Sequence, residues 1–328
     1  MSKPIRLELP TGFPVGPVNA YLFVEPDPVL VDTGVKSEES ITTLRAGLAK
    51  YSLTFADLTK VVISHPHTDH CAIAGLIADE SDATFHIYEP TRDWLTDYPT
   101  LAKKRATYHQ NNLYVYWQLE DEVRLPLTRD LNQAFDEVVT VSADRVQTFL
   151  DGDTIMMGGL PWQVLYTPGH ANTLTCYYQP DTRQFLSTDM LLPIAPTPIP
   201  ELPLAHEKGR VPPLPQFLQS LDRVEALECD MVYPGHGTPF ADHRAVIARQ
   251  RSRIEMRKAQ CLELIKEGYD TVGQLVLKMY PNYAPKARFT SLWMVMGYID
   301  LLAADSQIAL VERVNDGVTV VDIIVTDV

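Results

Sequence analysis

The segment His65-Pro66-His67-Thr68-Asp69-His70 places four side chains able to bind a metal within six residues, directly after the apolar run Val61-Val62-Ile63. An apolar run followed by a ligand-dense turn predicts a buried strand that delivers its side chains to the edge of a sheet. Imidazole and carboxylate in this mixture suit Zn²⁺ or a similar first-row metal. One metal approached from a single tight turn cannot take all four residues and leave room for ligands from elsewhere. Two adjacent metals are therefore expected.

Three later segments supply the remaining ligands. Thr167-Pro168-Gly169-His170 follows the strand-like Trp162–Tyr166, Phe185–Thr188 leads into Asp189, and Met231-Val232-Tyr233 runs into Pro234-Gly235-His236-Gly237. Each puts one ligand-type residue just past an apolar strand, with Gly or Pro at most of the turns. Five of the nine histidines (His65, His67, His70, His170, His236) sit in these turns. A lone His after a strand is ordinarily a satisfied polar residue. Four strand-end segments in series instead predict a dinuclear metal centre.

His-x-His-x-Asp-His, Thr-Pro-Gly-His, an Asp and Pro-Gly-His-Gly together resemble the metallo-β-lactamase fold superfamily of hydrolases. Val29-Leu30-Val31-Asp32-Thr33-Gly34 is similar to that superfamily's first motif, and the resemblance covers about residues 15 to 240. It implies that a first metal takes His65, His67 and His170. A second takes Asp69, His70 and His236, with Asp189 bridging the two. Asp32 then orients the ligand loop by hydrogen bonds without touching a metal. The chain departs from the usual pattern at Thr188 and Thr173, where the family often has Gly. Neither departure removes a ligand.

At 328 residues, with 45% hydrophobic residues and a mean hydropathy of −0.09, the chain can hold one large layered domain and a small one. It has no run of about eighteen apolar residues, so no membrane-spanning helix is expected. Its first ten residues read as strand rather than signal peptide, which points to the cytoplasm. Cys71, Cys176, Cys229 and Cys261 are widely spaced and read as isolated thiols. Cys71, next to His70, reads as a packed neighbour of the site rather than a ligand. The net charge of −14 arises within residues 1–240, which carry 17 Lys/Arg against 31 Asp/Glu, while residues 241–328 carry 11 of each. An acidic body repels polyanions, so the overall charge gives no support to nonspecific nucleic-acid binding.

The elements that must position the ligands alternate between strand and helix. The first half reads as N-terminal strands, a helix over 36–50, the strand and turn at 61–70, a helix near 72–79 and a strand at 84–88. The second half reads as strands near 154–157, 161–166, 174–179 and 184–187, a helix over 214–227 and a strand at 231–233. Ligands at strand ends throughout predict an α/β (α+β) fold, the αββα sandwich of the superfamily, with a catalytic domain over 1–240. Between the halves lies an insertion, about 91–149, helical to about 119 and again near 128–138. Its aromatics (Trp94, Tyr98, Tyr108, Tyr114, Tyr116, Trp117) read mainly as packing. A second candidate wall of the pocket is 192–215, where eight of 24 residues are proline.

After His236 the pattern becomes helices over 240–267, 271–280 and 287–304, then a hairpin turned at Asn315-Asp316-Gly317. This resembles the winged-helix-like C-terminal domain of one branch of the superfamily, here 241–328. The stretch Thr290–Leu302 contains no Lys or Arg, so it cannot pair with phosphates or read bases, and DNA binding is not expected. Its apolar content suits packing on the catalytic domain or on a second subunit in a homodimer, with Trp293, Met294 and Met296 buried. The basic run Arg249, Arg251, Arg253, Arg257, Lys258 reads as a solvated helix face, with an anionic substrate tail as the minority alternative.

The expected reaction is hydrolysis of a small-molecule acyl substrate, a thioester, ester or lactone. A water held between two divalent metals loses its proton near neutral pH and attacks the carbonyl. Zn²⁺ is the default, with Fe or Mn as alternatives, and Asp69 is the catalytic residue expected to pass a proton to the leaving group. The alternatives are a metal-dependent ribonuclease or phosphodiesterase and a β-lactamase. Only 46 residues separate Asp189 from His236, too few for the large inserted domain of the β-CASP nucleases. The expected absence of a secretion signal disfavours a β-lactamase, and a flavin-linked di-iron reductase would need a flavodoxin-like module. The residues that bind substrate are not identifiable from these patterns.

Overall fold

A computed structural model of the chain describes residues 3–119, 140–194, 198–205, 207, 209–282 and 288–326. The predicted helix near 128–138 lies outside the described residues. In the first half, β1 (Ile5–Leu9), β2 (Val18–Phe23) and β3 (Val29–Val31) run antiparallel. Helix α1 (Glu38–Ala49) then leads to β4 (Lys60–Ile63), α2 (Thr68–Cys71), α3 (Ala74–Glu80) and β5 (Thr84–Tyr88). α1 starts where Ser37 caps Ser40 N at 3.1 Å and Glu38 and Glu39 face the positive end of the helix dipole. The insertion supplies α4 (Arg92–Thr96), α5 (Tyr98–Tyr108) and a wide π-helical turn over His109–Tyr114. It ends sooner than the sequence suggests. Val146–Phe149, within the predicted insertion, is strand β6 and pairs in parallel with β5.

β3 to β6 are parallel and complete a six-stranded sheet in the order β1-β2-β3-β4-β5-β6 among the described residues. The second sheet holds β7 (Thr154–Met157), β8 (Leu160–Tyr166), β9 (Thr175–Gln179), β10 (Gln184–Thr188) and, parallel to β10, β11 (Met231–Pro234). Side-chain alternation along the strands explains how the two sheets stack. On β4, Val61 and Ile63 face Leu44, Leu48, Ile73 and Ile77 of α1 and its neighbours. Val62 points the other way, into the layer it shares with Trp162, Tyr177 and Leu186 of the second sheet. The outer face of that sheet, with Leu165, Cys176 and Phe185, packs on Phe217 and Leu221 of α6 (Pro213–Glu225). Helix, sheet, sheet, helix is the resulting order of layers.

The C-terminal region contains α7 (His243–Lys266), α8 (Val272–Met279), α9 (Arg288–Ala304), β12 (Ile308–Asn315) and β13 (Val318–Val325). Asp316 (φ +50°) and Gly317 (φ +79°) form the two-residue turn that Asn315 and Val318 close. α9 packs against α6, α7 and α8, and Trp293, Met294 and Met296 are buried. Their core is continuous with that of α6, so one apolar cluster includes both Leu165 and Ile323. The insertion also docks here: Val321 N donates to Tyr116 O at 3.0 Å and Gln118 Nε2 to Val321 O at 2.6 Å. Arg251 pairs with Asp222 and Glu225, and Lys258 with Glu255 and Asp305, so much of the basic run is neutralised by neighbouring side chains. No helix among the described residues is long and apolar enough to cross a membrane.

Gly297 on α9 marks a close approach of this region to the body, because a Cβ there would sit 2.6 Å from Leu214 Cβ. Gly297→Ala is therefore expected to destabilise the fold by about 1–3 kcal/mol through overpacking. Urea unfolding followed by tryptophan fluorescence measures it, and an unchanged midpoint would show that the α9–α6 contact is not tightly packed.

Candidate metal centre

All seven predicted ligands come together at one end of the two sheets. The loop after β4 contributes His65 and His67, α2 contributes Asp69 and His70, and the turns after β8, β10 and β11 contribute His170, Asp189 and His236. Three groups have ligand atoms within 4.8 Å of one another: His65, His67 and His170; His65, His70 and Asp189; Asp69, His70 and His236. His67 Nδ1 lies 2.9 Å from His65 Nε2 and 3.0 Å from His170 Nε2. Asp189 Oδ2 lies 3.4 Å from both His70 Nε2 and His170 Nε2, and 3.5 Å from His236 Nε2. It therefore stands between the two sets of histidines. Asp69 Oδ2 is 3.3 Å from His236 Nε2.

The imidazoles are held from behind. Asp32 Oδ2 faces His70 Nδ1 at 2.8 Å, and the same carboxylate accepts from Ser64 N and Ser64 Oγ, each at 2.8 Å. These contacts are what the predicted orienting role requires. His236 Nδ1 donates to Pro17 O at 2.8 Å, which leaves Nε2 to face the carboxylates. Both Asp32 (φ +60°) and Thr188 (φ +46°) adopt left-handed backbone conformations. The second explains why Gly is common in the family at that position: the turn into Asp189 needs a positive φ, and Thr188 adopts it at a cost in backbone strain.

The electrostatics suit a cation. Burial disfavours the protonated form of His70, but Asp189, Asp69 and Asp32 outweigh it and raise its pKa well above normal. His236, opposed by burial and pulled by Asp189 and Asp69, rises to about 10. His170, which burial dominates, falls to about 4, so near neutral pH it is uncharged, as a coordinating imidazole must be. His70 Nε2 and Asp189 Oδ1 are buried and have no hydrogen-bond partner among the described residues. Buried polar atoms normally have partners. Divalent cations among these donors would supply them, so the residues present fit metal.

The sequence model of the metallo-beta-lactamase superfamily matches residues 13–236, which span this whole ligand series. The chain belongs to the metallo-β-lactamase superfamily. Its members are hydrolases, and this chain is a metal-dependent hydrolase of that superfamily. A "probable metallo-hydrolase YqjP" of Bacillus subtilis is 26% identical over 313 residues, covering 93% of each chain. An atrochrysone carboxyl ACP thioesterase of Aspergillus fumigatus is 25% identical over 130 residues, 39% of this chain and 38% of its own length. Among solved structures, a metallo-beta-lactamase family protein of Thermus thermophilus superposes with a TM-score of 0.77 at 22% identity, over 98% of both chains. That likeness shows the fold.

Several residues at the centre escaped the sequence reading. Asn19 on β2 donates from Nδ2 to Pro234 O at 2.8 Å and to Gly237 O at 2.7 Å, and Tyr21 OH donates to Pro234 O at 2.7 Å. Together they brace the Pro-Gly-His-Gly turn. A signal for Asn19 existed, since it is a polar residue in the middle of a wholly buried strand. Glu201, in the proline-rich segment, sits 2.9 Å from His67 Nε2, and Arg105 Nη1 lies 3.2 Å from each of its oxygens. Burial alone would raise the Glu201 pKa, yet Arg105 and His67 bring the carboxyl down to about 2. No local pattern marks it, because its partners lie 134 and 96 residues away. Cys71 is buried, and its thiol is pushed far up by burial and the nearby aspartates, which fits a packed neighbour rather than a ligand.

Gly235 leaves no room for a side chain, since a Cβ would collide with Asp189 Oδ1. Gly235→Ala is expected to displace that carboxylate and weaken metal uptake by roughly tenfold or more while leaving far-ultraviolet circular dichroism native. Equilibrium dialysis against trace metal gives the result. Unchanged uptake would show that the position of Asp189 does not govern binding.

Proposed function

We propose that this chain is a dinuclear metal-dependent hydrolase of a small acyl substrate, a thioester, ester or lactone. In this reading His65, His67 and His170 would hold one ion, Asp69, His70 and His236 would hold the other, and Asp189 would be shared between them. Zn²⁺ is the default ion and Fe or Mn the alternatives, because a His/Asp set without thiolate discriminates weakly. Bound there, the ions supply positive charge that lowers the pKa of a water and draws electron density from a carbonyl. The protein's own residues do the rest. Asp32 and Pro17 aim His70 and His236, as described above. Asp69, a buried carboxylate 3.3 Å from His236 Nε2, would take a proton from the attacking water and pass it to the departing group. The insertion and the proline-rich segment exclude water around it.

The observation that carries the acyl reading is the pocket beside the cluster. Its volume is about 150 Å³, and Pro66, Trp94, Leu101, Leu202, Pro203 and Leu204 line much of it. Among the described residues no Lys or Arg lines it, while Asp93 and Glu201 do. A phosphodiester or RNA would meet the Asp93 carboxylate and find the nearby Arg105 already paired with Glu201, whereas a neutral acyl chain finds an apolar wall. The thioesterase relative agrees with this choice. The region over 241–328 acts, in this proposal, as a winged-helix-like packing domain rather than a nucleic-acid reader. A cytoplasmic location and a homodimer belong to the same reading.

Two measurements test it. Elemental analysis should find two metal ions per chain. A substrate panel on the metal-defined protein should show turnover of acyl thioesters, esters or lactones well above that of nitrocefin, bis-p-nitrophenyl phosphate and labelled RNA. Preferential cleavage of RNA or the phosphodiester would overturn the acyl assignment. Asp189→Ala is expected to lose one ion and lower turnover by about a hundredfold, comparable to removing a major electrostatic stabiliser. Near-normal activity with both ions retained would show that Asp189 is not the bridge.

A further inference from the structure

His67 is the one histidine of its group whose Nδ1, rather than Nε2, faces the cluster. Its Nε2 points the opposite way, to Glu201 Oε1 at 2.9 Å. Glu201 is fixed in turn from α5. Arg105 Nη1 reaches both of its oxygens at 3.2 Å, and one turn further along His109 Nε2 donates to Pro200 O at 2.8 Å. The Arg105 guanidinium lies 5.4 Å from the centre of the Trp94 ring. Arg105 and His109 are buried, and the Glu201 side chain is only 6% exposed. A buried ion pair is weak evidence for stability, because desolvation offsets much of its attraction. Its placement against the back of a ligand histidine therefore asks for another explanation.

We propose that Glu201 is a positioning residue for His67, held in place by Arg105. It accepts the Nε2–H hydrogen bond and so fixes the tautomer whose Nδ1 lone pair points into the cluster. This inference rests on the dinuclear reading above. Through this contact the helical insertion and the proline-rich segment set how tightly the His65/His67/His170 position binds its ion. A carboxylate behind a ligand histidine fixes its ring and raises its basicity, and losing such a partner typically weakens metal binding by about 10–100-fold.

The test is stepwise titration of Co²⁺ into metal-free protein, read by visible absorption with a competing chelator, for the wild type and Glu201→Gln. The wild type should show two binding steps. Glu201→Gln should weaken one of them by about 10–100-fold and leave the other close to wild type; the variant also leaves the buried Arg105 charge without its counter-ion, so its melting temperature falls on any reading and both titrations are run where the metal-free proteins are folded. A purely structural ion pair would instead shift both steps together, or shift neither; either result overturns the proposal. Fewer than two steps in the wild type would overturn the dinuclear reading and this inference with it. Equal steps in wild type and variant sink the inference alone. Long-range ¹H–¹⁵N spectra of the zinc-loaded wild type need no variant: His67 should carry its proton on Nε2, and a proton on Nδ1 overturns the assignment.

Discussion

Three buried carboxylates at one end of the sandwich set the terms for everything around them. Asp32, Asp69 and Asp189 are each nearly shut off from solvent. An isolated carboxylate in such surroundings is costly, and it persists only with hydrogen bonds or positive charge close by. Asp32 solves the problem locally, with three donors from Ser64 and His70. Asp69 and Asp189 have mainly imidazoles for company, and Asp189 Oδ1 has no partner among the described residues. The fold has gathered more negative charge here than its own side chains neutralise. Cations complete the balance, and that demand explains why the donors come from separate strand ends yet converge within a few ångströms.

The first sheet and the centre were largely legible because their signals are local. β4 announces itself as a short apolar run, and the ligands follow it within seven residues. The turns after β8 and β11 carry Pro-Gly-His, whose backbone chemistry and ligand type can be read together. The hairpin turn at Asp316-Gly317 was equally plain, because positive φ at both positions demands such residues. Less legible was β6, a four-residue strand with two exposed side chains, which belongs to the sheet only by virtue of its pairing with β5. Glu201 and Arg105 were invisible for the same reason. Their role is defined by a contact between distant segments, and neither has a neighbour in sequence that betrays it.

The insertion and the proline-rich segment gain order from each other as well as from the core. Arg210 pairs with Asp300 on α9, with one hydrogen bond of 2.8 Å, and its guanidinium lies 5.1 Å from the centre of the Trp117 ring. Burial raises the Asp300 carboxyl despite this partner, a sign of how dry the junction is. On the other side, Gln250 of α7 donates to Leu192 O at 2.8 Å, three residues past Asp189. The walls of the centre are thus tied to helices that contribute no ligand. Loops alone are poor supports for a constellation that must be held to fractions of an ångström. Here the C-terminal helices provide the stiffness.

That arrangement bears on how the chain is made. Phe217, Leu221, Val246 and Ile254 share one apolar cluster with Trp293, Val295, Ile299 and Leu302. During synthesis the seven His and Asp residues of the cluster emerge long before α9 does. The first sheet and its helices can close early, since their cluster is built mainly from residues up to 146. The layer outside the second sheet cannot. It stays incomplete until Arg288–Ala304 has left the ribosome, so the nascent hydrolase holds its cluster of His and Asp before it has the layer that packs behind it.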